Sequence, residues 1–322
     1  MGCRSLATLT LPLVADLAKK WLFRLATAIR FHYQRGGHSA RGDDFMRILI
    51  TNDDGIHGPG IELLARVALE LAGEGGEVFV VAPDTERSGV SHAITLFRPL
   101  RLREVKANWW ACDGTPTDCV YLALNQMKLQ VDLVLSGVNP GPNLGHDVLY
   151  SGTVAGALEG AHWGVPALAV SHCSSREAEL ALLEPLLADI LRPLIAAAQQ
   201  VGGALNVNLP PVTEGPYLGT VVTAIGHRYY SNEVHARNDP RGRLYYWIGG
   251  AEVTMPDVPG SDCNAIRDQW VSVTPLGDDL TRHGRLGDLA GHLGVAAPQA
   301  SAPPSSPARD RVRRKPDPVS QN

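Results

Sequence analysis

Short runs of consecutive apolar residues alternate with longer segments of helical period. Arg47-Ile48-Leu49-Ile50-Thr51 is β-branched and apolar and stops at Asn52-Asp53-Asp54-Gly55. Pro59 and Gly60 then open an amphipathic segment whose apolar positions are Ile61, Leu64, Val67, Ala68 and Leu71, and Gly73–Gly76 end it. Val78–Ala82 predicts a second strand, closed by Pro83-Asp84. Thr115-Pro116-Thr117-Asp118 has the form of an N-cap with Pro at the first helical position, leading into Val120, Leu122 and Leu124. Val131–Leu135 predicts a third strand, ended by Ser136-Gly137-Val138-Asn139-Pro140, and Ser151-Gly152-Thr153 opens another helix. Ala167–Val170, a long helix over 178–199 and Ala204–Asn208 continue the alternation.

Uninterrupted apolar strands separated by helices define a mostly parallel sheet covered on both faces, a Rossmann-like α/β architecture. From about 217 to 275 the pattern changes. Val221–Ile225, Leu244–Ile248 and Trp270–Thr274 are strand-like but are joined by polar loops, which predicts antiparallel hairpins appended to the sheet as an interaction arm.

Charge sharpens the domain plan. Residues 1–45 hold seven Lys/Arg against three Asp, and residues 297–322 hold five against two; with the chain at −4 overall, the body between them carries −11. An acidic body lacks the clustered basic face of a nucleic-acid groove, so nucleic acid is not an expected partner. Any anionic substrate must be handled locally, by a metal or by backbone N–H groups. No run approaches the ~20 apolar residues of a membrane span. The five cysteines are odd in number, widely spaced and without a C-x-x-C, which argues against a disulfide framework or zinc site and for a reducing, cytoplasmic setting.

The ends differ from the body. Residues 5–35 form a basic amphipathic stretch in which Lys19, Lys20 and Arg24 break up the apolar run a secretion signal needs. The opening Met1-Gly2-Cys3 lacks the Ser/Thr of a myristoylation motif, since Leu6 stands there. Residues 1–45 are expected to be an extension outside the fold, 46–296 its single domain, and 297–322 a disordered, basic, Pro-rich tail.

The candidate chemistry lies just past strand ends, where open α/β sheets bind ligands. The first end offers Asp53 and Asp54, the second leads into Asp84–Ser88, and the third offers Asn139 and Asn143. All are oxygen donors, which suit Mg²⁺, Mn²⁺ or Ca²⁺ rather than zinc or copper. Adjacent carboxylates repel unless a cation or proton neutralises them, and Gly55 permits the turn that would aim both at one ion. Asp-Asp-Gly alone is equally an ordinary loop and cap; the further oxygen-rich strand ends favour a metal. Ser151-Gly152-Thr153 at a helix start is an anion site or a plain N-cap. A metal beside a phosphate cradle points to a phosphate ester attacked by activated water. His57 and His92 are weaker candidates for a proton donor. No G-x-S-x-G elbow or Walker lysine is present.

Several long motifs carry a family resemblance. MRILITNDDGIHGPGI at 46–61 resembles the opening of the SurE family, the survival-protein nucleotidases. VVAPDTERSGVSHAIT (80–95), GTPTDCV (114–120), SGVNPGPNLGHDVLYSGTVAGALEG (136–160), DPRGRLYYWIGG (239–250) and VSVTPL (271–276) follow in the family's order. The resemblance implies a divalent-metal-dependent phosphatase acting on nucleoside 5′- and 3′-monophosphates, in some members also on polyphosphate. It implies metal ligands at Asp53, Asp54, Ser88 and Asn139, with the two carboxylates catalytic, and phosphate contacts at Asn143, Ser151, Gly152 and Thr153. Ser88 is assigned by motif alone, a hydroxyl being a modest ligand. His146 departs from the family, in which an acidic residue is common after Asn-Leu-Gly. Dimers or tetramers built through the C-terminal hairpin arm are also implied. Competing expectations are a polyphosphatase as the main activity, a non-catalytic nucleotide or phosphate sensor, and a receiver-type domain, which would need an Asp where Asn139 stands.

Overall fold

A computed structural model describes residues 45–298, apart from 232 and 250–252. The basic stretch at 5–35, Cys3 and the tail beyond 298 lie outside the described residues. The first half follows the predicted alternation: β1 (Arg47–Thr51), α1 (Pro59–Ala72), β2 (Glu77–Pro83), β3 (Leu102–Lys106), β4 (Trp109–Cys112), α2 (Pro116–Asn125), β5 (Leu133–Pro140). A short 3₁₀ turn (Gly145–Leu149) then leads into α3 (Gly152–His162), β6 (Ala167–His172), α4 (Glu177–Val201) and β7 (Ala204–Leu209).

Nine strands form one sheet in the order β3-β4-β2-β1-β5-β6-β7-β13-β8, with β8 at Thr220–Val222 and β13 at Val271–Leu276. The six from β4 to β7 are mutually parallel. Side chains of β1 alternate between the two cores: Ile48 and Ile50 join α1 and α4 on one face, and Leu49 joins α2 and α3 on the other. After β1 the chain runs outward to β2 and β4, and it returns through β5 on the other side of β1. That reversal opens a crevice between the ends of β1 and β5.

Local chemistry accounts for the helix starts. Thr115 caps α2 in a full capping box: its hydroxyl accepts from the Asp118 N–H, and the Asp118 carboxylate accepts from the Thr115 N–H. Ser151 caps α3, accepting from the Val154 N–H at 3.0 Å. Glycines at 152, 156 and 160 line one face of α3. A Cβ at Gly156 would stand 2.7 Å from Thr51 Cγ2 of β1, and one at Gly160 would stand 2.7 Å from Val134 Cγ2 of β5. The bare backbone of α3 therefore lies directly on the two strands that frame the crevice.

Three expectations need correction. The third strand does not end at Leu135: β5 runs on to Pro140, with a register shift against β6 between Gly137 and Asn139, so Asn139 belongs to a strand. The pair β3 and β4 is absent from the predicted alternation: β3 is charged and largely exposed, and the apolar run of β4 is only four residues long. The segments near 221 and 271 are not appended hairpin strands; β13 pairs antiparallel with β7, and β8 pairs parallel with β13, both within the main sheet. Antiparallel pairs outside it are β10 (Val234–Asn238) with β11 (Leu244–Ile248), and β9 (Tyr229–Tyr230) with β12 (Val253–Thr254). Two more helices, α5 (Asp262–Arg267) and α6 (Leu286–Leu293), flank β13 in sequence.

Candidate metal and phosphate site

At the end of β1 the chain turns through Gly55, whose φ of +98° lies in the region glycine tolerates. Asn52 fastens the turn, its Nδ2 donating to the Gly55 carbonyl at 3.0 Å. The segment after β2 packs onto this turn: Arg87 N–H donates to the Asp53 carbonyl at 2.7 Å, and Ile56 N–H to the Pro83 carbonyl at 2.8 Å.

Asp53 is buried, and α3 closes over it. The Thr153 hydroxyl donates to Asp53 Oδ1. A Cβ on Gly152 would stand 2.7 Å from Asp53 Cβ, so only glycine lets the helix start this close. Burial raises the Asp53 carboxyl above its ordinary value, against the Thr153 hydroxyl and the N–H groups of Thr153 and Gly152, which favour the anion. Asp54 beside it is half-buried, and its Oδ2 has no hydrogen-bond partner. Burial, then the charges of Asp53 and Glu86, push its carboxyl up to about 7. Two neighbouring carboxyls held above their ordinary range, one with an orphaned oxygen, form an arrangement that a cation would satisfy.

Asn139, near the end of β5, donates its Nδ2 to the Gly141 carbonyl at 2.8 Å, which leaves its Oδ1 as the atom that could meet a cation. Ser88 is not aimed in the same way: it is exposed and its hydroxyl donates to Glu86 Oε1 at 2.8 Å. The backbone of 85–87 lies against Asp53–Gly55, but the Ser88 side chain turns to its own loop. Asp53, Asp54 and Asn139 offer oxygen donors only, and among the described residues no group of three or more His, Cys, Asp or Glu converges, here or elsewhere. That donor set fits a hard divalent cation.

Ser151, Gly152, Thr153 and Asn143 are all buried on this side of the sheet. Two backbone amides of the loop before α3 are already engaged: Asn143 N–H with Asn208 Oδ1 at 2.9 Å, and Gly145 N–H with Asp262 Oδ2 at 2.9 Å. What Asn143 can offer a ligand is therefore its side chain. His57 is exposed. His92 places Nε2 3.0 Å from Glu159 Oε2 of α3, so it tethers the loop after β2, and Ser91 N–H adds a bond to the Tyr150 carbonyl. His146 lies against His227, Nε2 to Nδ1 at 3.3 Å.

Sequence reasoning missed the residues that hold these groups. Asn206, Asn208 and Ser171 bind the Asn143 loop from below, and Asp262 ties Gly145 to Gly226. Their signal was present as Asn206 and Asn208 alternating inside an apolar strand. The glycine spacing of α3 was a second signal of the same kind.

An open, mostly parallel α/β sheet with paired carboxylates at its switch point and a hydroxyl-bearing helix start beside them is the framework of a phosphate-ester site. The family model described as survival protein SurE matches residues 48–232. A protein of Myxococcus xanthus named 5′-nucleotidase SurE is 49% identical over 76% of this chain and 92% of its own length. One of the same name from Anaeromyxobacter dehalogenans is 50% identical over 73% and 91%. The solved SurE protein of Aquifex aeolicus, 36% identical, superposes with a TM-score of 0.63 over 77% of this chain and 99% of its own. The chain belongs to the SurE family.

Proposed function

We propose that residues 46–296 form a metal-dependent phosphomonoesterase domain that hydrolyses nucleoside 5′-monophosphates, and 3′-monophosphates as well, to nucleoside and phosphate. The observation that carries this reading is Asp53, buried between the end of β1 and the first turn of α3, with Asp54 beside it bearing an unpartnered carboxylate oxygen. The name shared by the relatives, 5′-nucleotidase, supports the substrate class.

Asp53, Asp54 and Asn139 would hold Mg²⁺ or Mn²⁺, with Ser88 joining once its hydroxyl leaves Glu86. When bound, the ion supplies Lewis-acid polarisation of a phosphate oxygen and a water acidic enough to attack phosphorus. The protein's own part is to place and neutralise the anion. The first N–H groups of α3 and the Ser151 hydroxyl would face the phosphate at the positive end of the helix dipole, and the Asn143 carboxamide adds a donor. The Thr153 hydroxyl has one hydrogen and gives it to Asp53, so it can turn to the phosphate only once a cation takes its place on that carboxylate.

Exposed Tyr246, Trp247 and Ile248 on β11 give the hairpin an apolar surface that suits a homodimer or homotetramer. Among the described residues no helix is long and apolar enough to cross a membrane. The four described cysteines are free thiols, which supports a reducing, cytoplasmic setting. The test is incubation with AMP and Mn²⁺, scored by released phosphate, with Asp53→Asn as the control. Turnover should fall by a factor of about 10² or more in the variant, the usual penalty for removing a preorganised electrostatic element. Near-parental activity in Asp53→Asn removes the assignment. GMP, 3′-AMP and polyphosphate rank the substrates.

A further inference from the structure

β7 reads Ala-Leu-Asn-Val-Asn-Leu and is buried along its whole length. Two carboxamides in such a strand are unfavourable unless each finds partners, since an unbonded amide in an apolar interior is destabilising. Asn206 and Asn208 are two residues apart, so they share one face of the sheet. Ser171 stands directly opposite Asn208 across the β6–β7 ladder, and it is opposite Asn139 on the other side. All three side chains are fully buried.

They converge on one residue. Asn208 binds the backbone of Asn143 at both ends: its Oδ1 accepts from the Asn143 N–H at 2.9 Å, and its Nδ2 donates to the Asn143 carbonyl at 3.1 Å. Asn206 Nδ2 donates to the same carbonyl at 2.8 Å. Ser171 Oγ accepts from Asn143 Nδ2 at 2.8 Å. The backbone of Asn143 is thus held as if by a neighbouring strand, and one of its two side-chain N–H bonds is fixed. A carboxamide nitrogen carries two hydrogens, so fixing one sets the direction of the other.

We propose that Asn206, Asn208 and Ser171 are positioning residues that aim the free N–H of the Asn143 carboxamide at the substrate phosphate. This rests on the reading of Asn143 as a phosphate contact. A purely structural role would need only the backbone bonds from the two asparagines. The Ser171 bond goes to the side chain and does nothing for the loop's backbone.

Ser171→Ala therefore separates the two roles, because it removes one hydroxyl and leaves the β-ladder and both asparagines in place. Binding of inorganic phosphate to the Mn²⁺-loaded full chain is followed by calorimetry, so the result does not depend on turnover. Expected is a phosphate affinity weakened by roughly 3- to 10-fold, the range for one hydrogen bond. The Mn²⁺ midpoint should be unchanged, and KM for AMP should rise while kcat changes by less than about twofold, as for loss of uniform binding. Asn143→Ala combined with Ser171→Ala should lose no more than Asn143→Ala alone. Unchanged phosphate affinity in Ser171→Ala, or losses that add in the double variant, overturns the positioning role. If Asn143→Ala itself binds phosphate as tightly as the parent, what fails is the reading of Asn143 as a phosphate contact. Asn208→Asp is a second variant, which keeps the acceptor for the Asn143 N–H and sets an oxygen against its carbonyl; it should weaken phosphate binding more than Ser171→Ala does.

Discussion

The Thr153 hydroxyl donates to Oδ1 of Asp53 across 100 residues of sequence, joining the first turn of α3 to the end of β1. The bond is to a charged, buried acceptor, the kind in which removing one partner is felt most. Thr153→Val keeps the shape and deletes the donor. Its kcat/KM on AMP should fall by about 10- to 100-fold, matching about 1.5–3 kcal/mol for a bond to a charged group. The check is phosphate release alongside a urea melt showing that the variant is folded.

The same contact depends on how closely α3 approaches the sheet. Ala favours a helix over Gly by about 1 kcal/mol, which alone predicts that Gly156→Ala stabilises. The new Cβ, however, would lie 2.7 Å from Thr51 Cγ2 and 2.9 Å from Ser136 Oγ, in a fully buried layer. Overpacking of this kind is unfavourable by about 1–3 kcal/mol, so the net effect should be destabilising. Urea unfolding measures it. Because the shift lifts α3 from Asp53, activity at a temperature where the variant is folded should fall too.

Cation binding should be visible without any substrate. Asp54 carries an unpartnered buried oxygen and a carboxyl raised to about 7 by burial and by the charges of Asp53 and Glu86. A divalent ion that binds only the folded chain stabilises it, by about 2.7 kcal/mol at a hundredfold excess over Kd. Mn²⁺ should therefore raise the melting temperature, and EDTA should reverse it. Asp54→Asn should abolish the shift while raising the metal-free melting temperature, because it removes a repelling charge. A Mn²⁺ shift of parental size in Asp54→Asn would place the ion elsewhere.

A separate pair sets an acid limit on stability. His172, at the end of β6, is fully buried and places Nε2 3.7 Å from Glu179 Oε2 of α4. Burial lowers the His172 pKa below its ordinary 6.5, outweighing the upward pull of Glu179 and of the Pro210 backbone. Below pH 6.5 the unfolded chain therefore takes up a proton that the folded chain refuses, so folding stability is full above that value and declines as pH falls toward the lowered folded-state pKa. Glu179 is itself held below its ordinary 4.5, despite burial, by hydrogen bonds from Ser174 and Thr213 and by the neighbouring His172 and Arg176, so its contribution is lost only in a lower window. Urea midpoints at pH 7.5 and 5.5 should differ, and His172→Gln should reduce the difference.

Hydrophobic patterning alone determined the parallel α/β body, because strands buried on both faces and helices buried on one leave different periods in the chain. The same local reading placed the N-caps at Thr115 and Ser151 and the acidic turn at Asp53-Asp54-Gly55, since these depend on neighbours within four residues. Only the tertiary structure decided what lies beyond that range. It turned Ser88 toward Glu86, inserted β13 between β7 and β8, antiparallel to the first and parallel to the second, engaged the backbone of Asn143 before any ligand could, and hung Thr153 on Asp53. Each of these is a bond or a register between residues far apart in sequence, chosen by which strand lies beside which. A one-dimensional pattern carries the burial of a position; it does not carry the identity of the partner across the sheet.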